Sequence, residues 1–249
     1  MPPKAKKTKL ISIASQKSQG LKSIDKTREF VTQKTKQKLF AVCIQETWRY
    51  GFPIEETDNC TLIYHGLDAN EQLCKRGKGS VAIALSEAAT QAWKSAGSIT
   101  HKDFGDRILS LRLLVKDLYN RDIYVYLVSA YAPVGNADQR VWDSFLENIE
   151  KCLDRKQKYD VLVIGCDCNS SLGISQGRGF GYVMQAVGPC GLRHRNNSGV
   201  RFLTFLEVNN NNLLPEEELC HMETPAFKVT TPNRSFSVPK IQTILIQEW

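Results

Sequence analysis

Four side chains with oxygen donors stand where apolar runs of the sequence end: Glu46, Tyr131, Asp167 and Asn169. Because short apolar runs predict buried strands, we expect these groups to converge at one rim of a two-sheet core. Carboxylate and amide oxygens on rigid strand ends are the ligands that a magnesium ion requires. One carboxylate on the metal ion and another beside a water molecule would suffice to hydrolyse a phosphodiester.

The elements that must position these groups alternate along the chain as in an α/β protein. Strands are predicted at residues 9–15, 39–44, 61–64, 79–85, 107–113, 122–131, 160–165 and 238–246, those from 61 to 131 being sequential and antiparallel. Helices are predicted at residues 24–36, 86–96, 138–153 and 199–208, with Ser23, Ser86 and Ser198 as N-caps. Residues 209–212 are predicted to form a loop.

Length and composition allow one sizeable core, since 42% of the 249 residues are apolar. No apolar run approaches the ~20 residues that cross a bilayer, and the first residues lack the apolar stretch of a secretory signal. We therefore expect an intracellular protein, nuclear or cytoplasmic, that is not secreted and has no membrane partner. The eight cysteines contain no C-x-x-C pair and are expected to be reduced thiols.

Positive charge is concentrated at the start of the chain. Residues 1–40 contain eleven Lys or Arg and two acidic residues, a net charge of +9, which leaves −2 for the rest of a chain of formal charge +7. A basic segment of this kind suits contact with a phosphate backbone, although a solvated terminus is the alternative. We predict a basic N-terminal arm with a degenerate first strand and helix at residues 1–38, followed by one domain at residues 39–249.

Five segments occur in a characteristic order: IQETW at 44–48, GSVAIAL at 79–85, AYAP at 130–133, VIGCDCN at 163–169 and GPCGLRHRNNSGVRFLTFL at 188–206. Their order resembles the endonuclease/exonuclease/phosphatase family, which includes DNase I and the apurinic endonucleases. The last segment resembles the endonucleases of non-LTR (LINE-type) retrotransposons. The resemblance implies a monomeric, DNase I-like, four-layer α/β/β/α sandwich of two packed mixed sheets, here incomplete at the C-terminus, with DNA as its partner.

The resemblance also implies a role for each candidate residue: Glu46 as ligand of Mg²⁺ (Mn²⁺ being possible), Asp167 as the group that activates water, Tyr131 and Asn169 as phosphate-binding catalytic residues, and Asn197 and Arg107 as phosphate or nucleic-acid contacts. Simpler interpretations stay open for three of them. Glu46 could be an ordinary surface glutamate, Tyr131 a buried structural tyrosine and Asn197 a helix cap.

The sequence also departs from the family pattern. Ala14 or Ser15 stands where the family's first strand ends in a metal-site asparagine, and Gln242 stands where a late carboxylate is expected. Cys166 and Cys168 replace a glycine and an aromatic residue, and a Cys-x-Cys metal clamp is a less favoured interpretation of this pair. The family's closing Ser-Asp-His is absent, and a single such donor is commonly worth ~10²–10³ in rate.

The four histidines lie outside the expected place and are predicted to be ordinary surface or loop residues: His65, His101, His194 and His221. We therefore expect a retrotransposon-type endonuclease domain whose magnesium-dependent hydrolysis of DNA is impaired. An inactive nucleic-acid-binding remnant of a mobile-element domain is the alternative. A relative that acts on phosphoinositides or phospholipids is a third possibility, against which residues 188–205 argue.

Overall fold

Two mixed β-sheets form the centre of the protein in a computed structural model that describes residues 11–57, 59–67, 79–117, 120–171, 194–213, 227–229 and 244–246. In chain order the elements are β1 (Ile11–Lys17), α1 (Ile24–Lys36), β2 (Ala41–Gln45), β3 (Ile54–Thr57), β4 (Cys60–His65), β5 (Val81–Ser86), α2 (Glu87–Ser95), β6 (Thr100–His101), β7 (Ile108–Lys116), β8 (Asp122–Tyr131), α3 (Gln139–Leu153), β9 (Val161–Asp167), α4 (Asn197–Leu213), β10 (Phe227–Val229) and β11 (Ile244–Ile246).

Sheet A has the strand order β10-β1-β2-β5-β4-β3, and sheet B has the order β11-β9-β8-β7-β6. In sheet A, β1 runs parallel to both β10 and β2, whereas β2, β5, β4 and β3 are successively antiparallel. In sheet B, β9 runs parallel to β8 and antiparallel to β11. Each sheet is therefore mixed, as the sequence analysis predicted.

The protein has four layers, namely α1, sheet A, sheet B, and α3 with α4. A cluster of buried apolar side chains lies between each layer and the next. The central cluster joins the facing sides of the two sheets, with Cys43 and Ile83 of sheet A against Leu111 and Val163 of sheet B. The outer face of sheet A packs against Phe30 of α1. The outer face of sheet B packs against α3 and α4, through residues that include Trp142, Phe145 and Phe202. The predicted α/β/β/α sandwich is confirmed.

The first three helices begin where local capping predicts. Ser23, Ser86 and Asp138 each accept a hydrogen bond from a backbone amide in the first turn of α1, α2 and α3. Such caps satisfy amides that have no partner within the helix.

The helix α4 differs from its prediction at both ends. The side chain of Asn196, and not that of Ser198, accepts from the amide of Gly199 at 2.8 Å. Ser198 instead donates to the carbonyl of Gly135 at 3.3 Å. The helix continues to Leu213, so the prediction of a loop at residues 209–212 was wrong.

The strand predictions were correct for pairs of neighbours but not for the whole series. The strands β4 and β5 pair antiparallel in sheet A, and β7 and β8 pair antiparallel in sheet B. Between these pairs the chain passes through α2 and changes sheet, which a one-dimensional pattern does not reveal. The short strands β3, β6 and β10 were not predicted. Of the strand predicted at 238–246, only Ile244–Ile246 is described, and Gln242 lies outside the described residues.

The strand and helix assigned to the basic arm are integral parts of the sandwich. β1 pairs with β2 over five residues, and α1 covers the outer face of sheet A. A separate arm is therefore a prediction only for residues 1–10, which lie outside the described part of the chain.

Candidate functional site

Four strands end at one rim of the sandwich, which we call the open rim. The parallel strands β1 and β2 bring Lys17 opposite Gln45, and the parallel strands β8 and β9 bring Tyr131 opposite Asp167. Because the two sheets pack face to face, the side chains at these strand ends approach one another across the sandwich. Four of the predicted site residues, namely Glu46, Tyr131, Asp167 and Asn169, lie at this rim.

Backbone contacts hold Glu46 directly after β2. Its φ of 56° lies in the left-handed region, which is costly for a residue other than glycine. Its carbonyl accepts from the Gly20 amide at 2.8 Å and from the Ser18 hydroxyl at 3.0 Å. Trp48, also at positive φ, donates from its amide to the Ser80 hydroxyl at 2.7 Å. The surrounding loops thus fix a backbone conformation that an isolated chain would avoid.

Tyr131 and Glu46 are in direct contact across the two sheets. The Tyr131 hydroxyl donates a hydrogen bond of 2.5 Å to Glu46 Oε1. Burial, together with this hydrogen bond and the negative charge of Glu46, raises the pKa of Tyr131 to about 12. Tyr131 therefore stays a neutral donor at physiological pH, which holds one oxygen of the Glu46 carboxylate in place.

Lys17 is the site residue that the sequence analysis missed. Its Nζ lies 2.8 Å from Glu46 Oε1 and 3.1 Å from Asp167 Oδ2. Only 21% of the Lys17 side chain is exposed. One ammonium group therefore links a carboxylate that follows a strand of sheet A to a carboxylate that ends a strand of sheet B.

The position of Lys17 corrects the expectation for the end of the first strand. Neither Ala14 nor Ser15 reaches the rim: Ala14 is buried in the cluster beneath α1, and the Ser15 hydroxyl donates to Gln45 Oε1 at 3.3 Å between the sheets. β1 continues two residues beyond the prediction. Since alternate residues of a strand share a face, Lys17 follows Ser15 on the side that looks towards sheet B. That alternation was the feature of the sequence that could have identified Lys17.

The charge of Lys17 is maintained by its partners. Burial alone would lower the pKa of Lys17, but the hydrogen bond to Glu46 and the attraction of Asp167 outweigh it. The pKa of Lys17 is therefore raised above its ordinary value of 10.5. Lys17 is an ammonium ion throughout the physiological range.

Asp167 and Asn169 form a compact turn after β9. Asp167 Oδ1 accepts from the Asn169 amide at 3.1 Å, and the Asn169 side chain donates to the Ala132 carbonyl at 2.8 Å. Asn169 has a φ of 43°, a conformation that asparagine tolerates better than most residues. Asp167 is only 3% exposed, and its Oδ2 atom is shielded from solvent with no hydrogen bond in addition to the ion pair with Lys17.

Cys166 and Cys168, which flank Asp167, face away from the site. Both are buried in the cluster under α3 and α4. A hydrogen bond to Cys168, together with burial, raises the pKa of Cys166 well above its ordinary value. The described cysteines are reduced thiols that form no disulfide with one another, as predicted. Burial of both sulfur atoms in an apolar cluster does not favour a metal clamp, because thiols bind metal ions as thiolates.

Arg107 joins the open rim to a neighbouring cavity. It donates to the Tyr131 carbonyl at 3.3 Å, and its guanidinium carbon lies 5.3 Å from the centre of the Tyr131 ring. The cavity has a volume of about 310 Å³, and its walls include Arg107, Arg140, Ser144, Phe145 and Asn148. It combines the basic Arg107 and Arg140, the acidic Asp106 and the amide of Asn148 with an apolar wall, and Arg107 connects it to Tyr131.

Asn197 lies at the start of α4 with its side chain exposed, and no contact joins it to the carboxylates of the rim within the described residues. Its neighbour Asn196 accepts from the Ser171 amide at 3.1 Å, which ties the start of α4 to the turn after β9. The predicted phosphate contact of Asn197 stays a prediction.

Two histidines are placed differently from their prediction as surface or loop residues. His65 ends β4, where its Nδ1 lies 2.9 Å from the Ile108 carbonyl, and burial lowers its pKa. His101 lies in β6 beside Phe104 and Tyr126. His194 is exposed, and His221 lies outside the described residues.

The residues of the rim, as arranged, do not fit a magnesium ion. Within the described ranges, no three His, Cys, Asp or Glu side chains come together in a way that could hold a metal ion. The two carboxylates that do converge already share the Lys17 ammonium. At an effective dielectric constant of ~20, the ammonium would repel a dication about 4 Å away by roughly 8 kcal/mol, which offsets the attraction of one of the two carboxylates at that distance. Lys17 therefore opposes the entry of a dication, both by its charge and by its position between the two carboxylates.

No model of a known protein family matches the sequence, and no curated protein matches it. Solved structures do resemble the fold. The AP endonuclease LMAP from Leishmania major matches with a TM-score of 0.51 and 14% identity, over 82% of this chain and 67% of that one. The catalytic domain of Xenopus laevis APE2 matches with a TM-score of 0.44 and 13% identity, over 78% of this chain and 67% of that one. An endonuclease/exonuclease/phosphatase family protein from Leptotrichia buccalis matches with a TM-score of 0.41 and 12% identity, over 66% of this chain and 67% of that one.

The likeness to the Leishmania enzyme concerns the fold, and with the two packed sheets it confirms the predicted DNase I-like sandwich. In the part of the chain that the structure describes, none of the helices combines the length and the apolar character needed to span a membrane.

Proposed function

We propose that this chain is a nuclease-type domain of a non-LTR retrotransposon protein that binds the DNA backbone at the open rim and hydrolyses it poorly. The convergence of Glu46, Tyr131 and Asp167 supports the nuclease ancestry, since these strand ends come from both sheets: Glu46 and Asp167 share the Lys17 ammonium, and the Tyr131 hydroxyl donates to Glu46. Two left-handed residues, Glu46 and Asn169, store backbone strain at the same place, which is typical of functional sites.

Basic groups at and beside the rim support DNA as the partner. Lys17 and Arg107 both lie against the Tyr131 ring, and Arg140 lines the adjoining cavity. Four more lysines lie in residues 1–10. Phosphate contacts of this kind supply affinity without sequence information. The retrotransposon branch rests on the segment at residues 188–206, and an AP endonuclease of the same fold gives a DNA-directed precedent.

Lys17 supports impaired hydrolysis. It engages Asp167, the group expected to activate water, and it compensates Glu46, the group expected to hold a metal ion. In the protein without ligand, both carboxylates therefore share the Lys17 ammonium as their counter-ion. We expect the chain's own residues to bind and orient a phosphate, through Tyr131, Asn169 and the neighbouring cations, while the ion pairs with Lys17 hinder Glu46 and Asp167 in activating water.

Two assays on the full chain test this proposal. Fluorescence anisotropy with a labelled duplex should give a binding constant that falls steeply with salt, with a log–log slope of roughly −0.9 for each phosphate contact. Replacing Lys4, Lys6, Lys7 and Lys9 by glutamine should reduce that slope, as should Arg140→Gln by about 1. In magnesium, nicking of supercoiled plasmid should be at least ~10²-fold slower than by an active apurinic endonuclease assayed in parallel.

The outcomes separate the competing functions. An active magnesium-dependent endonuclease, favoured by the closeness of the two carboxylates, would nick plasmid rapidly and lose this activity in Glu46→Gln and Asp167→Asn. Hydrolysis of a phosphoinositide without DNA binding would favour the lipid-directed alternative. A chain that binds no duplex even at low salt would contradict the proposal as a whole.

A further inference from the structure

Lys17 occupies the point between the two sheets at which the carboxylates of the rim converge. Its ammonium lies about equally far from Glu46 Oε1 and Asp167 Oδ2, at 2.8 and 3.1 Å. The side chain is mostly buried, and its Nζ lies 5.6 Å from the centre of the Tyr131 ring. The lysine is therefore enclosed by site residues on several sides and is not a surface side chain that happens to form an ion pair.

The carboxylates depend on this ammonium for compensation. Asp167 Oδ2 is shielded from solvent and has no hydrogen bond, so its ion pair with Lys17 is the contact that this oxygen makes with a positive charge. Glu46 Oε1 has the Tyr131 hydroxyl as a second donor. A buried carboxylate without a partner is strongly disfavoured. A single positive charge, which comes from the chain itself, is shared by the two carboxylates and compensates them in part.

We propose that Lys17 is a built-in replacement for a divalent cation, which excludes magnesium and manganese from the open rim and makes phosphate binding there independent of metal. The statement about DNA rests on the proposed function, whereas the exclusion of metal ions does not. Lys17 acts as a positioning residue: its charge holds the two carboxylates together, and with Arg107, which contacts the same tyrosine, it presents positive charge to an incoming phosphate.

Manganese binding, measured by the loss of the free-ion signal in electron paramagnetic resonance, tests the exclusion directly. The wild-type chain and Glu46→Gln should bind the same amount of manganese, because Glu46 should not hold the ion in the wild type. Lys17→Asn removes the charge and supplies an amide oxygen, so its manganese dissociation constant should be at least ~10-fold lower than that of the wild type, the amide and carboxylate oxygens being ligands of hard cations. Lys17→Met, which removes only the charge, should bind manganese less tightly than Lys17→Asn.

Lys22→Met is the matched control. Lys22 is an exposed lysine whose Nζ contacts the hydroxyl of Tyr50, so its replacement removes the same charge without touching either carboxylate. It should leave manganese binding as in the wild type. Thermal unfolding provides a second readout. Manganese should raise the midpoint temperature of unfolding of Lys17→Asn but not that of the wild type or of Lys22→Met, because a ligand stabilises a protein when it binds the folded state in preference to the unfolded state.

Two results would overturn the inference. One is a wild-type chain that binds manganese and loses it in Glu46→Gln, a measurement that needs no Lys17 variant to fold. The other is a folded Lys17→Asn that binds no more manganese than the wild type. Duplex binding is measured separately in EDTA and in magnesium at constant ionic strength, and it should not increase in magnesium. If the chain binds no DNA in either buffer, the proposed function fails while the manganese result still decides the role of Lys17.

Discussion

Replacing Asp160 by asparagine is expected to lower the free energy of unfolding by about 3–5 kcal/mol, the cost of breaking a buried ion pair by removing one partner. Asp160 is 1% exposed and receives two hydrogen bonds from Arg112, at 2.7 and 3.0 Å. It also accepts from the Gln157 amide at 3.2 Å. The pair ties β7 to the turn that precedes β9. Loss of the carboxylate leaves a guanidinium uncompensated beneath the protein surface.

Urea unfolding of the wild type, Asp160→Asn and a matched control measures this effect. Asp103→Asn removes the same group from the exposed pair with Arg155, whose side chains are both more than half exposed. An exposed ion pair contributes at most ~1 kcal/mol, so the control should unfold close to the wild type. Equal losses of stability in the two variants would show that burial does not set the strength of the Arg112–Asp160 pair.

Gln45→Leu is expected to destabilise the protein by about 3 kcal/mol, because it removes the polar link between the sheets. Gln45 is fully enclosed and donates to the Gly165 carbonyl at 3.1 Å, while its oxygen accepts from Ser15. The sheets approach closely here, since a Cβ on Gly165 would lie 2.4 Å from that of Cys43. Leucine fills a similar volume but leaves two buried polar groups unsatisfied, at about 1–3 kcal/mol each.

The control for this variant is Gln33→Leu on the exposed face of α1, where the glutamine bonds only to Glu29 of the same helix. Its effect should lie within about 0.5 kcal/mol of zero. Because Gln45 immediately precedes Glu46, the variant should also loosen the rim, which faster exchange of the backbone amides of residues 46–48 would report. Unchanged stability in Gln45→Leu would contradict a polar link between the sheets.

Features encoded locally in the sequence were predicted well. The helices α1 and α2 begin after Ser23 and Ser86, as the capping residues indicated, because a cap acts within a few residues of its own position. Glu46, Tyr131 and Asp167 were located by a similar rule, since each stands where a buried strand ends. Packing of the two sheets then brings them together, as the pattern of strand ends suggested.

Features that depend on tertiary contacts were predicted poorly. The strand β3 escaped detection because it is a short edge strand with three of its four residues exposed. The cap of α4 was assigned to Ser198, although Asn196 has a second partner in Ser171, distant in sequence, that favours it. Lys17 was missed because its role depends on two carboxylates that follow it by 29 and 150 positions in the chain.

The open rim combines family-like carboxylates with a cation that belongs to the chain. Glu46 and Asp167, to which the resemblance assigns metal binding and activation of water, both form ion pairs with Lys17. A single lysine at the end of a strand thereby changes what the same fold can do, because it alters the charge of the site without altering the sandwich. Under the function proposed above, such a domain binds a DNA backbone and hydrolyses it poorly.

Hydrogen exchange of the full chain with and without a DNA duplex tests the location of the binding surface most directly. We expect slower amide exchange at residues 44–50, 131–136 and 167–171, which follow the strand ends of the open rim. Protection confined to the opposite rim, at residues 85–95 and 120–123, would contradict the account, as would the absence of any protection at a duplex concentration that saturates binding.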